Sequence, residues 1–504
     1  MAKRPRKPEL LFEGSDWDFD MLQRTTEAIE EIALQDLGLN VYTNQIEIIS
    51  SEQMLDAYSS IGMPLMYRHW SFGKHFLHHE RLYRKGMRGL AYEIVINSNP
   101  CISYCMEENT MALQALVIAH AAFGHNHFFK NNHLFLQWTD ADGVLDYLSY
   151  ARGFIAQCEE RHGVDEVEAI LDSAHALMPN GVFRRRRPPR LSLREEEERR
   201  LERIRAEEEA VHYLWDTLPR RGAGSVAADR ERLERKREMH LPEENILYFL
   251  EHYSPILRPW QREIIRIVRN IGQYFYPQKQ TKLMNEGCAC FVHYYIMNEL
   301  HRSGRINDGA MLEVLHNHSN VLTQPDFDDP RYGGINPYAL GFAMMQDIRR
   351  ICEEPGEEDI EWFPDIAGCG DWRRVLKDAW ANYRDESFIQ QFLSPTVMRH
   401  FKMFSLVDDA SKPFYAVSHI HDERGFRELR DSLAREYDVA VADTDIQVVD
   451  VDLLGDRWLK LRSVKRNGVP LEPADRDATL LHLRRLWGYK VEIEEISEGA
   501  SLAS

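Results

Sequence analysis

Residues 184–240 constrain the fold of this 504-residue chain more than any other stretch. They open "RRRRPPRLSLREEEERRLERIRAEEEA", nearly pure charge, with Glu195→Arg199 and Glu196→Arg200 at helical i,i+4 spacing. Such a segment cannot enter an apolar core, so it reads as a solvated helix or a partly disordered insertion. The core must therefore be assembled from what flanks it. A nucleic-acid role for the basic run Arg184–Arg190 is undercut by the acids that follow directly.

On both sides of the insertion the apolar residues recur with helical period. Before it, helices are expected over 16–37, from 51 onward, and over 107–130, 144–161 and 164–177, with "LNVYTNQIEIIS" extended between the first two. After it, helices are expected over 244–277, 282–303, 308–318, 337–352 and 371–402, with Asn336-Pro337 launching the fourth. Near residue 405 the texture changes to strand, helix, two strands, helix, strand. That order predicts a small α+β module of ferredoxin-like βαββαβ type. The expected class is mainly α: one helical domain in two parts (1–183 and 241–404), interrupted by the insertion (184–240) and followed by the module (405–504). Modules of this type commonly dock a protein partner.

The length allows about two to four domains, and 44% apolar residues supply ample core. A formal charge of −19 argues against nonspecific binding to nucleic acid or acidic membrane. The basic N-terminus turns acidic before any apolar run develops, so no signal peptide is expected. The apolar stretch around 111–124 is interrupted by Gln114 and His120 and is too short to span a bilayer. Seven cysteines without C-x-x-C spacing at Cys101/Cys105 or Cys288/Cys290 fit buried thiols in a reduced cytoplasmic protein.

Three segments could carry chemistry: "MEENTMALQALVIAHAAFGHNHFF", "NEGCACFVHYYIMNELH" and "LHNHSNV". Glu286 and His293 stand two helical turns apart and share a face, a suitable ligand pair for zinc or another divalent first-row metal. Cys290, one turn from each, is a further donor, although a thiol there is more often packing. His120 and His127 share a face, whereas His120 and His125 lie about 140° apart on an ideal α-helix. Gly124 could distort the helix and bring that second pair together. Glu107 and Glu108 sit at the expected helix start, where acids also favour the helix dipole. Phosphate-loop, dinucleotide, serine-hydrolase and H-E-x-x-H signatures are absent. E-x-x-H occurs at Glu159/His162, Glu209/His212 and Glu313/His316, a minor di-iron alternative in a chain this rich in Glu and His.

"YEIVINSNPCISYCMEENT", "HAAFGHNHFFKNN", "NEGCACFVHY", "HSNV" followed by "QP", and "GGINPYALGFAMMQDIRRICE" together resemble the stage V sporulation protein R (SpoVR) family, over nearly the whole chain. The resemblance implies a role in forming the spore cortex, a modified peptidoglycan layer, or more widely in envelope or stress physiology. It puts Glu108, His120, His125, Glu286, His293 and His318 on family motif positions, with His127 and His316 less characteristic. Cys288 and Cys290 depart from that pattern, where relatives carry Trp and a small hydroxyl residue.

Two functions follow. One is a metal-dependent hydrolase of an amide or peptide bond. His120, His125, His293 and Glu286 would hold the metal, Glu108 or Glu286 would act as general base, and Glu107, Asn109 and His318 would support the ligands. The other is a non-catalytic regulator or scaffold, in which the His/Glu cluster is structural and the C-terminal module binds a protein partner.

Overall fold

The computed structural model describes residues 9–59, 63, 65–70, 93–184, 239, 241–407, 411–413, 416–439, 443–453, 455–465 and 470–497. Nearly all of the charged insertion lies outside these residues, as does Glu209/His212. The chain divides into two compact units, Met1–Glu168 with Gln273–Asp443, and Ala169–Gly272 with Thr444–Ser504.

The first unit is mainly helical, and its helices start where the sequence supplies caps. In α1 (Phe19–Glu31), Asp18 accepts from Met21 N at 2.7 Å. In α2 (Met111–Ile118), Thr110 accepts from Leu113 N at 3.2 Å. All eight residues of α2 are buried, so it is apolar all round except for Gln114, whose side-chain amide donates to the Met106 carbonyl at 2.8 Å. It runs on through a π-helical turn, Ala119–His125, into α3 (Asn126–Asn131). Distant in sequence, α4 (Lys282–Arg302), α5 (Asp308–Val321) and α6 (Pro337–Glu353) complete the surroundings of the site. Asn336 caps α6 and Pro337 opens it, as the sequence predicts. The cap of α4 comes from outside the helix. Asp385, buried, accepts from Leu283 N at 2.8 Å and Met284 N at 2.9 Å.

A small sheet packs beside these helices, in the order β1 (Asn44–Ile49), β3 (Cys101–Met106), β2 (Glu93–Ile96). β3 is buried along its length, parallel to β1 and antiparallel to β2, with Cys105 opposite Glu93. Buried on both sides, it lacks the apolar/polar alternation by which a strand is read from sequence. It escaped sequence analysis for that reason.

The class is as expected, mainly α with a small C-terminal sheet module, but the ferredoxin-like strand order is not what forms. β4 (Ser405–Val407) and β5 (Ala416–His419) pair with each other in the first unit. The helix after them, Glu423–Tyr437, buries Phe426, Leu429, Leu433 and Ala434 in that unit's core and holds β5 there. In the second unit, β6 (Ile446–Val451), β7 (Leu459–Lys465) and β8 (Val491–Ser497) form a three-stranded sheet in that order, with β7 and β8 parallel. The Pro473–Trp487 helix makes the crossover between the parallel pair. Its Trp487 stacks on Phe249 with ring centroids 6.0 Å apart, and Ser254 Oγ donates to the Leu486 carbonyl at 2.7 Å. Among the described residues, no helix is long and apolar enough to cross a membrane.

Candidate metal centre

Five elements of the first unit converge on one buried cluster. The π-helical turn contributes His120 and His125. Its i→i+5 hydrogen bonding stacks residues five apart, where an α-helix would splay them. The two rings are 4.6 Å apart between centroids as a result. Gly124, within this turn, lets it lie against α4: a Cβ there would meet Ala289 Cα at 2.5 Å. From α4, Glu286, Cys290 and His293 project from one face at i, i+4 and i+7. Glu93 comes from the first position of β2, His318 from α5 and Tyr338 from α6.

The His120 ring separates the cluster into two sides. Its Nε2 lies 3.7 Å from Glu93 Oε1 and 3.8 Å from Glu286 Oε2, and that same oxygen is 3.5 Å from His125 Nε2. These gaps are too long for hydrogen bonds, and Glu286 Oε2 is buried with no hydrogen-bond partner. On the other side, His120 Nδ1 is 2.9 Å from His293 Nδ1, and His293 Nε2 is 2.7 Å from His318 Nδ1. The Cys290 Sγ lies on this side too, within 4.8 Å of ligand atoms of His120 and His293. Two donor sets result, His120–His125–Glu286 and His120–Cys290–His293, each with ligand atoms within 4.8 Å of one another. Either could hold a metal ion. The first, with an orphaned carboxylate oxygen between two imidazoles, has the shape of a cradle.

The electrostatics separate the members. Burial drives His125 down to about 4 and His293 well below its ordinary range. Both are neutral near pH 7 and keep a lone pair for coordination. Burial pushes His120 down, but the neighbouring Cys290, Glu286 and Glu93 groups outweigh it and raise it. The two carboxyl groups move in opposite directions. Burial raises Glu93, whereas at Glu286 the His125 and His120 imidazoles overcome burial and hold the carboxylate ionised. Tyr338 helps hold Glu286 ionised, and Asn285 Oδ1 lies 2.9 Å from His125 Nδ1, a contact that fixes the direction in which that ring points.

Of the residues expected from sequence, His120, His125, Glu286, His293 and His318 come together. Three expected acidic-turn residues lie elsewhere. Glu108 is exposed and accepts from Ser51 N at 3.2 Å, at the start of the Ser51–Ser59 helix. Glu107 is exposed with its carbonyl accepting from Trp17 Nε1 at 3.2 Å, and Asn109 is buried in the same turn. The electrostatic effect of helix ends on acids, noted for this turn, accounts for Glu108. Glu93, Tyr338 and Asn285 were not foreseen. Asn285 adjoins Glu286 and was within reach of a spacing argument, whereas Glu93 and Tyr338 lie in two of the family-like segments but at no spacing that ties them to the histidines. The two E-x-x-H matches among the described residues do not assemble a site: His162 and His316 are exposed and Glu313 bonds to Thr110.

His127 faces away from the cluster. Its Nδ1 accepts from Asn40 N at 3.0 Å, its Nε2 is buried without a partner, and its ring meets Trp380 edge-on at 5.5 Å. Burial lowers it to about 4. Its folded-state pKa is thus below the unfolded value of about 6.5, so its stabilising effect is complete above about pH 6.5 and is lost as pH falls toward 4. We expect the stability advantage of wild type over His127→Gln to shrink by about 2–3 kcal/mol between neutral pH and pH 4. Urea unfolding at both pH values measures this; an advantage independent of pH would refute it.

The family described as SpoVR like protein matches residues 16–442, and the SpoVR-like C-terminal domain matches residues 444–498. An uncharacterized protein of Escherichia coli K12, YcgB, is 53% identical over 492 residues, which cover 98% of this chain and 95% of the relative. No solved structure matches the chain. With nearly every residue inside these matches, the chain belongs to the SpoVR-like family.

Proposed function

We propose that the His120–His125–Glu286 cradle holds a divalent first-row metal ion, zinc by its donor set, and that the protein hydrolyses an amide or peptide bond there. The observation that carries this reading is the Glu286 Oε2 atom, buried, unbonded, and 3.5–3.8 Å from two imidazole nitrogens. Ligands about 2.0–2.1 Å from a tetrahedral ion stand roughly 3.3 Å apart, so the cradle needs only slight contraction. A bound ion would supply Lewis acidity toward a carbonyl and toward water. The rest of the chemistry belongs to the chain. Glu93, across from Glu286, accepts the proton lost by the attacking water and returns it to the leaving amine. His293 and His318 fix the orientation of His120, and Asn285 fixes that of His125. The family's association with sporulation directs the substrate search to amides of peptidoglycan precursors, with peptides next.

One observation favours a second reading. The His120–His293–His318 series is buried and hydrogen-bonded within itself, as a structural cluster in a scaffold would be, with the C-terminal module docking a protein partner. Metal analysis of protein purified without chelators separates the two. We expect about one equivalent per chain in wild type and less than about a tenth of that in folded His120→Ala and His125→Ala. Folded wild type without stoichiometric metal, and unable to take up zinc on dialysis, overturns the metal reading and leaves the scaffold.

A further inference from the structure

We propose that Cys352 and Cys369 are an oxidative modification site, forming a reversible disulfide when the chain meets a small-molecule disulfide. Of the seven cysteines six are buried, and Cys369 alone is exposed. Cys352 lies near the end of α6, and Cys369 in the turn that follows Phe363. Backbone hydrogen bonds hold the second against the first. Gly368 N donates to the Ile351 carbonyl at 2.9 Å, and Gly370 N donates to the Cys352 carbonyl at 2.8 Å. Both glycines have φ of +70°, the left-handed region other residues adopt with strain, so the clamp depends on a glycine on each side of Cys369. These two backbone bonds bracket Cys369 and seat it beside Cys352, whose thiol is pushed up by burial and by the neighbouring Cys369, with the positive charge of Arg374 opposing the rise.

Exposure makes Cys369 the residue an incoming disulfide reaches, and the backbone clamp makes Cys352 the resolving thiol. The Cys369 thiolate attacks one sulfur of the reagent, forming a mixed disulfide and releasing one thiolate. Cys352 then loses its proton and attacks Cys369 Sγ, expelling the second thiolate. Two protein thiols are oxidised to one disulfide, and one small-molecule disulfide is reduced to two thiols. The product ties the end of α6 to the turn already clamped to it. This inference is independent of the metal centre.

The test treats the native full-length chain with oxidised glutathione, then counts thiols in denaturant and maps peptides. Wild type should lose two thiols, yield a Cys352–Cys369 cross-linked peptide that dithiothreitol reverses, and keep no bound glutathione. Cys369→Ser, a change at an exposed position, should lose none. Cys352→Ser should lose one thiol and keep glutathione on Cys369. A stable glutathione adduct on wild-type Cys369, or an unchanged thiol count, overturns the proposal.

Discussion

Replacing Gly341 by alanine is expected to destabilise the protein by about 3–5 kcal/mol, the upper end of what overpacking costs. A Cβ on Gly341 would lie 2.3 Å from the Leu283 carbonyl oxygen and 3.0 Å from Gly287 Cα. From the other side, a Cβ on Gly287 would lie 2.6–2.7 Å from the Gly341 backbone. The obstacle is main chain on main chain, so no rotamer change relieves it, and α4 and α6 would have to separate. That movement would also disturb the cluster, because Glu286 adjoins Gly287 and Tyr338 precedes Gly341 by less than one turn. The control is Gly153→Ala, at an exposed position in the Val144–His162 helix with nothing near the added methyl. There the helix propensity of alanine should stabilise by about 0.5–1 kcal/mol. Urea unfolding of the three proteins decides the matter. If Gly341→Ala is as stable as wild type, the close approach of these helices is not as described.

The same contact shows what sequence could and could not convey. Helix starts were legible because caps are local: Asp18, Thr110 and Asn336 each bond within three residues of themselves. The cap of α4 was not, because Asp385 lies about a hundred residues further along the chain. The histidine cluster was legible as composition, since an apolar segment has little other reason to carry imidazoles. The convergence of His120 with His125 was open on α-helical geometry, and the π-helical turn, with Gly124 inside it, produces it. The acid across from His120 could not be found this way. Glu108 attracted attention by adjacency to the helix, whereas Glu93 reaches the site through a strand pairing that no periodicity in "YEIVI" announces. At the C-terminus the strands were readable but their pairing was not. Register and partner are decided by where the Glu423–Tyr437 helix buries its apolar face.

Neutralising the two carboxylates separately should split binding from turnover. Glu286→Gln is expected to abolish stoichiometric metal, because it removes the ionised oxygen that faces both imidazoles. Glu93→Gln is expected to retain the metal and to lower turnover of the amide substrate by about 10²–10⁴-fold, the usual contribution of a positioned general base. The reason lies in the opposed shifts. Burial raises Glu93 against the opposing charge of His120, with the nearby Glu286 charge adding to the rise, while His125 and His120 hold Glu286 ionised. Two carboxyl groups pushed in opposite directions in this way divide the work, one remaining an anion and the other suited to exchanging a proton. The pH profile supplies the sign. Glu93 must be deprotonated to act as base, so wild-type kcat/KM should fall as pH drops through its raised pKa. In Glu93→Gln the residual rate should lose that acidic limb. Full metal with unchanged turnover in Glu93→Gln would remove Glu93 from the chemistry. Loss of metal in Glu93→Gln would instead make it a fourth ligand, and the base would have to be sought elsewhere.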